Sequence, residues 1–176
     1  MKILSFGAST SSQSINQQFA SFVAQQVENA EVTSLNLREL DLPMYSEDEE
    51  KENGIPEDAK RFIELLLQQD GVVVSLAEHN GSYTAAFKNL YDWCSRVEKK
   101  VWCGKPMLLL STSPGGRGGQ TVMEAAKATF PRMGAELKAT FSLPSFYENF
   151  SMDKGVLDEG LNSELNQAIE KFSLSR

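Results

Sequence analysis

Two apolar runs, residues 72–76 (VVVSL) and 107–110 (MLLL), each break into a loop of small residues and then into a stripe of apolar side chains at helical spacing. Few architectures accommodate that pattern twice. A strand buried on both faces reads as a continuous apolar run, and such strands belong to parallel sheets whose crossovers are helices. A loop that leaves such a strand and opens a helix sits at the carboxyl edge of the sheet, where ligands of open α/β folds bind.

The rest of the chain extends the alternation. Residues 2–6 form a first apolar strand, and Ile15, Phe19, Phe22, Val23 and Val27 fall on one helical stripe. Residues 32–37 are half polar and suit an edge strand. The acidic residues 45–54 read as a solvated loop. Pro56, followed by Glu57 and Asp58, marks a helix start, with proline at the first position and acids facing the positive end of the dipole. That helix carries Phe62, Ile63, Leu66 and Leu67 and stops at Asp70 and Gly71.

A helix through Phe87, Leu90, Tyr91 and Cys94 follows the first apolar run, and a helix over residues 120–133 follows the second. Residues 136–141 alternate like a second edge strand. An irregular stretch then leads to a last helix marked by Leu161, Leu165, Ile169 and Phe172. Strand and helix alternate throughout. This predicts one α/β domain over residues 1–176, a three-layer sandwich around a five-stranded parallel sheet of order 2-1-3-4-5.

Charge and composition exclude several classes of function. A formal net charge of −7 opposes a nucleic-acid surface, which needs a basic patch to release counterions. It also requires any phosphate ligand to be held by local dipoles and a few cations. No apolar run approaches the roughly 18 residues of a membrane span, and MKILSFGAS reads as a first strand rather than a signal peptide. No membrane association and a cytoplasmic setting are expected. Cys94 and Cys103 form no CxxC pair and read as reduced, packed thiols. His79 is the only histidine, so no metal site is expected.

Three loops converge in the expected topology. The first, Gly7 to Asn16, holds Ser9, Thr10, Ser11, Ser12 and Ser14 at a helix N-terminus. Hydroxyls and unpaired amides there favour an anion, and five hydroxyls exceed what one helix cap requires. The loop lacks the spacing of a P-loop or of a dinucleotide-binding GxGxxG. The second, Ala77 to Tyr83, centres on Asn80-Gly81, which tolerates unusual backbone angles. Glu78 there is either a general base or a capping carboxylate, and Tyr83 and Tyr91 are core or helix-face aromatics. The third, Ser113 to Gly119, has four glycines that permit close approach and an arginine, Arg117, able to pair with phosphate.

These residues resemble the NADPH-dependent FMN reductases of flavodoxin-like fold. The family's G-S-x-R-x-x-S-x-N loop corresponds to Ala8 through Asn16. Its P-E-Y-N-G-S turn and L-K-N-x-x-D-W helix correspond to Ala77 through Ser82 and Phe87 through Trp93. Leu42-Pro43-Met44-Tyr45, Gly104-Lys105-Pro106 and Ser113-Pro114-Gly115 with Gly118-Gly119 also match. The chain departs from the pattern at Ser11, where the family has arginine, and at Ala77 and His79, where it has proline and tyrosine.

The resemblance implies a flavin site. Ser9, Ser11, Ser14, Ile15 and Asn16 would surround the FMN phosphate, and Ala77, Glu78, His79, Asn80 and Gly81 would follow the ring edge. Ser113, Pro114, Gly115 and Gly116 would border the ring and ribityl chain, with Pro43 and Tyr45 nearby. Arg117 would meet the phosphate of NADPH or NADH. The implied activity is ping-pong hydride transfer from NADPH to FMN and on to a quinone, free flavin or another small acceptor, with no protein residue as catalyst. The rival reading is a non-enzymatic FMN-binding electron carrier or redox sensor. A homodimer or homotetramer is expected from the likeness and from Trp93, Trp102, Phe146, Tyr147 and Phe150, unless those aromatics pack within the chain.

Overall fold

In the computed structural model, which describes residues 1–174, strand β1 (Lys2–Ala8) runs parallel between β2 (Glu31–Ser34) and β3 (Gly71–Leu76). Beyond β3 lie β4 (Pro106–Thr112) and β5 (Glu136–Leu143), also parallel, which gives the order β2-β1-β3-β4-β5. The helices follow as α1 (Ile15–Gln25), α2 (Glu47–Asn53), α3 (Glu57–Leu67), α4 (Ala85–Val97), α5 (Gln120–Thr129), the short α6 (Phe146–Asn149) and α7 (Glu159–Ser173).

Successive strand residues serve opposite faces, as a period of two demands. Leu4, Phe6, Val72, Val74, Met107 and Leu109 pack with α3, α4 and α5. Ile3, Val73, Leu108 and Leu110 pack with α1 and α7 on the other face. Both faces are therefore dry, and the central strands have to be apolar at nearly every position. The edge strand β2 is half exposed, which is why its sequence is mixed.

Four local expectations are corrected. Residues 47–53 are helical, not a loop: the Ser46 hydroxyl accepts from the Glu49 amide at 3.0 Å, and four acids occupy the first turn. This serine cap, with acids at the positive end of the dipole, holds a helix that buries none of its side chains. Pro56 is the cap of α3, not its first residue. Leu67 falls off the buried stripe and is 56% exposed. The α-helix after β4 ends at Thr129, and a 3-10 turn (Phe130–Met133) follows because Pro131 has no amide to continue the ladder.

The stretch after β5 is also more ordered than its sequence suggests. It contains α6 and a small antiparallel hairpin, β6 (Phe150–Ser151) with β7 (Gly155–Val156). Phe150 of that hairpin meets Phe19 and Phe22 of α1 edge-on, at ring centroid distances of 5.7 and 5.1 Å. Trp93, Trp102, Phe146 and Phe150 are all buried inside the chain, so they no longer argue for self-association; Tyr147 alone of that group is exposed.

Candidate functional site

The turn from β1 into α1 is as tight as a backbone allows. A Cβ on Gly7 would lie 2.6 Å from the Asn16 carbonyl carbon and 2.6 Å from the Gln17 Cα, so only glycine lets α1 come down on the strand. The Gly7 amide donates to Gln17 Oε1 at 2.7 Å and fixes that approach. Ser14 caps α1, its hydroxyl oxygen accepting from the Gln17 amide at 3.1 Å, and the Ser9 oxygen accepts from the Ser11 amide at 3.2 Å. Each hydroxyl keeps its own hydrogen to donate. The Ile15 and Asn16 amides belong to the first helical turn, which has no intrahelical acceptors for them.

The Asn16 side chain, in contrast, is committed to the fold. Its Oδ1 accepts from the Thr112 amide at 3.1 Å and from the Ser75 hydroxyl at 2.7 Å, and its Nδ2 donates to the Thr112 carbonyl at 3.2 Å. These bonds tie the start of α1 to the carboxyl ends of β3 and β4.

After β3 the chain makes a two-residue turn. His79 and Ser82 exchange two backbone hydrogen bonds, at 2.9 and 3.1 Å, around Asn80 (φ 52°) and Gly81 (φ 74°). Left-handed angles at both central positions are what an Asn-Gly hairpin turn requires. Thr84 then caps α4, accepting from the Phe87 amide at 3.2 Å while its hydroxyl donates to the Ala8 carbonyl at 2.8 Å. Glu78 resolves as a capping carboxylate: its Oε2 accepts from the Val122 amide at 2.9 Å, in the first turn of α5.

The loop after β4 is clamped at its far end and open at its near end. The Gly118 carbonyl accepts from the Ser111 and Ser142 hydroxyls, both at 2.7 Å. By contrast, a Cβ on Gly116 would meet nothing within 4 Å, and one on Gly115 would reach only the Ser113 hydroxyl at 4.0 Å. Protein packing does not demand those two glycines. Arg117 is exposed and donates to the Thr121 hydroxyl at 3.0 Å.

These loops enclose a cleft of about 210 Å³ at the carboxyl edge of the sheet. It gathers Ser9, Ser11, Ser14, Ile15, Asn16, Ala77, Glu78, His79, Ser113 and Pro114 from the residues singled out in the sequence. Asn80, Gly81, Gly115, Gly116 and Arg117 do not line it and lie on the loops beside it. Pro43 and Tyr45 are drawn to α4 instead. The Pro43 carbonyl accepts from Trp93 Nε1 at 2.7 Å, the Tyr45 amide donates to Asn89 Oδ1 at 2.9 Å, and the Tyr45 ring meets Trp93 edge-on.

Gln13, Thr112 and Tyr147 complete the lining and were absent from the expected set. Gln13 lies inside the serine loop and Thr112 at the end of an apolar strand, so position alone pointed to both. Tyr147 carried no such signal. Among the described residues no Lys or Arg lines the cleft, and the donors there are hydroxyls, amides and His79.

A larger cavity of about 550 Å³ opens at the opposite edge, among Met1, Gln69, Asp70, Cys103, Gly104, Lys105 and Pro106. It lies at the amino ends of the strands. Parallel sheets place ligands at the carboxyl ends, where the smaller cleft has the converging helix N-terminus and loop donors.

The fold defines a flavodoxin-like α/β protein with a cleft at the carboxyl edge of its sheet. The chain belongs to the NADPH-dependent FMN reductase family, whose model matches residues 1–148. It is 36% identical over 138 residues to a quinone reductase of Pseudomonas putida, covering 76% of this chain and 72% of that protein. A quinone reductase of Escherichia coli (strain K12) is 38% identical over 79 residues, which is 45% of this chain and 42% of that protein, so the alignment spans under half its length. In fold, the chain superposes on FerB, a flavoenzyme NAD(P)H:(acceptor) oxidoreductase from Paracoccus denitrificans, with a TM-score of 0.77 at 24% identity. That superposition covers 98% of this chain and 94% of FerB.

Proposed function

We propose that residues 1–176 act as a single FMN-dependent NAD(P)H oxidoreductase domain that reduces a quinone or another small acceptor. The observation that carries the reading is the convergence of three loops on one cleft at the carboxyl edge, within a chain of this family. The donor set suits the cofactor. The first turn of α1 and the hydroxyls of Ser9, Ser11 and Ser14 meet the needs of a phosphate, and the open backbone at Gly115 and Gly116 lets a flat ring approach.

The cofactor would supply two-electron redox chemistry between NADPH and an acceptor. The chain would position and stabilise it. Its first-turn amides and serine hydroxyls would hold the phosphate, and the His79–Ser82 turn would present the Asn80 and Gly81 amides beside the ring edge. Glu78 moves no proton in this account, since its carboxylate holds α5 in place. At about 210 Å³ the cleft is smaller than the ~300–1,000 Å³ of sites that bury a drug-sized ligand. A cleft of that size would leave part of a bound flavin uncovered, as alternating access of donor and acceptor requires.

Anaerobic mixing of the FMN-loaded protein with NADPH tests this. Flavin absorbance should bleach within the turnover time and return on adding benzoquinone, and initial-rate plots should give parallel lines. A bound flavin that NADPH bleaches far more slowly than turnover requires would identify an electron carrier instead.

A homodimer or homotetramer belongs to the same proposal, supported by the family likeness and by Met44, 72% exposed beside Pro43. Sedimentation at micromolar concentration tests it, and a monomer there would end it. A cytoplasmic setting is supported by the unpaired thiols of Cys94 and Cys103; localisation of a tagged chain would check it, and recovery of the chain outside the cytoplasm would contradict it. No helix among the described residues is long and apolar enough to cross a membrane.

A further inference from the structure

We propose that Tyr147 is a phosphate-binding residue of the flavin site, its phenol donating a hydrogen bond to the cofactor's phosphate where Ser11 leaves the family's arginine absent. The inference rests on the flavin reading above.

The first support is how Tyr147 is held. Its neighbours Phe146 and Phe150 are buried, yet Tyr147 is 72% exposed. Ser145, in the left-handed region at φ 47°, turns the chain so that its amide donates to the Gly115 carbonyl at 2.9 Å. The Phe146 amide donates to the Ser113 carbonyl at 3.0 Å. The glycine loop of the site therefore positions Tyr147 through the backbone. The ring meets Phe146 edge-on at a centroid distance of 5.5 Å, and most of its surface stays free for a further contact.

The second support is which end of the site it borders. Tyr147 shares its cleft with Ser9, Ser11, Gln13, Ser14, Ile15 and Asn16, around the N-terminus of α1. Ala77, Glu78 and His79 line the same cleft, but Tyr147 is tethered through the Phe146 amide to Ser113. Ser113 follows Thr112, whose backbone is bonded to the Asn16 side chain at the start of α1, so the tether runs to the phosphate end.

The third support is what that end lacks. No Lys or Arg among the described residues lines it, the Asn16 side chain is engaged by Thr112 and Ser75, and the Ser9, Ser11 and Ser14 hydroxyls and the first-turn amides are neutral donors of one hydrogen each. A phosphate has more acceptor positions than these donors fill. A phenol is a neutral donor that makes short, strong bonds to a charged oxygen, without a side-chain cation in the cleft.

The test compares FMN with riboflavin, which has the same ring and no phosphate. Dissociation constants come from quenching of flavin fluorescence, and circular dichroism checks the fold of each variant. Tyr147→Phe should weaken FMN about tenfold, as expected for a lost hydrogen bond to a charged group, and leave riboflavin unchanged. Unchanged FMN affinity, or a parallel loss for both flavins, overturns the proposal. Wild-type protein that binds both flavins equally overturns the phosphate role while leaving the flavin reading intact. Wild-type protein that quenches neither overturns both.

Discussion

Asn16 and Thr112, 96 residues apart in the chain, are joined by two hydrogen bonds between the Asn16 side-chain amide and the backbone N–H and C=O of Thr112. The pair is buried, and with the Ser75 hydroxyl it locks the N-terminus of α1 onto the ends of β3 and β4. The floor of the cleft is thus a piece of the fold, and the site's shape is set before any ligand arrives. The family resemblance places Asn16 beside phosphate. The structure gives its side chain a scaffolding task, while its backbone amide sits in the first turn of α1, which has no intrahelical acceptor for it.

Replacing Asn16 with Ala should therefore act first on stability. The Thr112 peptide and the Ser75 hydroxyl would lose buried partners, at about 1–3 kcal/mol for each group left unpaired. Urea denaturation should show a lower midpoint at an unchanged slope. An unaltered midpoint with FMN binding lost would mean that the side chain serves the ligand alone.

Two glycines should respond in opposite ways. Gly7→Ala drives a Cβ into the backbone of Asn16 and Gln17, and overpacking against backbone costs about 3 kcal/mol or more. Gly116→Ala meets open space, so the thermal midpoint should stay within about a degree of wild type, since substitutions at open surface positions change stability little. Its effect should fall on flavin affinity. Equal destabilisation by both variants would contradict this division.

Glu78→Gln separates capping from catalysis. The amide keeps an acceptor for the Val122 N–H but loses the charge at the N-terminus of α5, which should cost about 0.5–1 kcal/mol. The turnover rate should stay within a few-fold of wild type. A fall of about a hundredfold or more, the scale of general acid–base catalysis, would restore a proton-transfer role.

Arg117 is exposed, and its one bond, to Thr121, is easily exchanged for a ligand. We assign it to the extra phosphate of NADPH. Arg117→Ala should raise the KM for NADPH about tenfold, the scale of one charge-assisted contact, and change that for NADH much less. Equal changes for both would remove Arg117 from this role.

Burial raises the Cys94 thiol and the Tyr91 phenol above their ordinary values. Both groups are neutral in either state at pH 7, so the fold keeps its full stability there. As pH passes about 8.5, the unfolded chain releases protons that the folded chain retains, and stability falls. The thermal midpoint should drop steadily from pH 8.5 to 10.5, and Tyr91→Phe should flatten the upper part of that drop. A flat profile would show that the buried groups ionise without cost.

Much of this was legible because the relevant chemistry is periodic. The order of the sheet followed from apolar runs at residues 72–76 and 107–110, and the Asn80-Gly81 turn from the only residue types that readily adopt its angles. The acidic α2 is not legible even with its Ser46 cap in the sequence, because a helix with no buried face leaves no apolar stripe. The partners of Asn16 and Glu78 were out of reach for another reason. Thr112 and Val122 become neighbours only once the sheet is assembled. Tyr147 is the extreme case, carried to the cleft by two backbone bonds from a segment with no regular pattern.

The most direct test of the central claim is amide chemical-shift mapping of the isotopically labelled protein during titration with FMN. The account predicts that Ile15, Asn16, the His79–Ser82 turn and residues 113–116 shift together and saturate with one equivalent. Shifts confined to Gln69, Asp70 and Cys103–Lys105, around the larger cavity at the opposite edge, would contradict it.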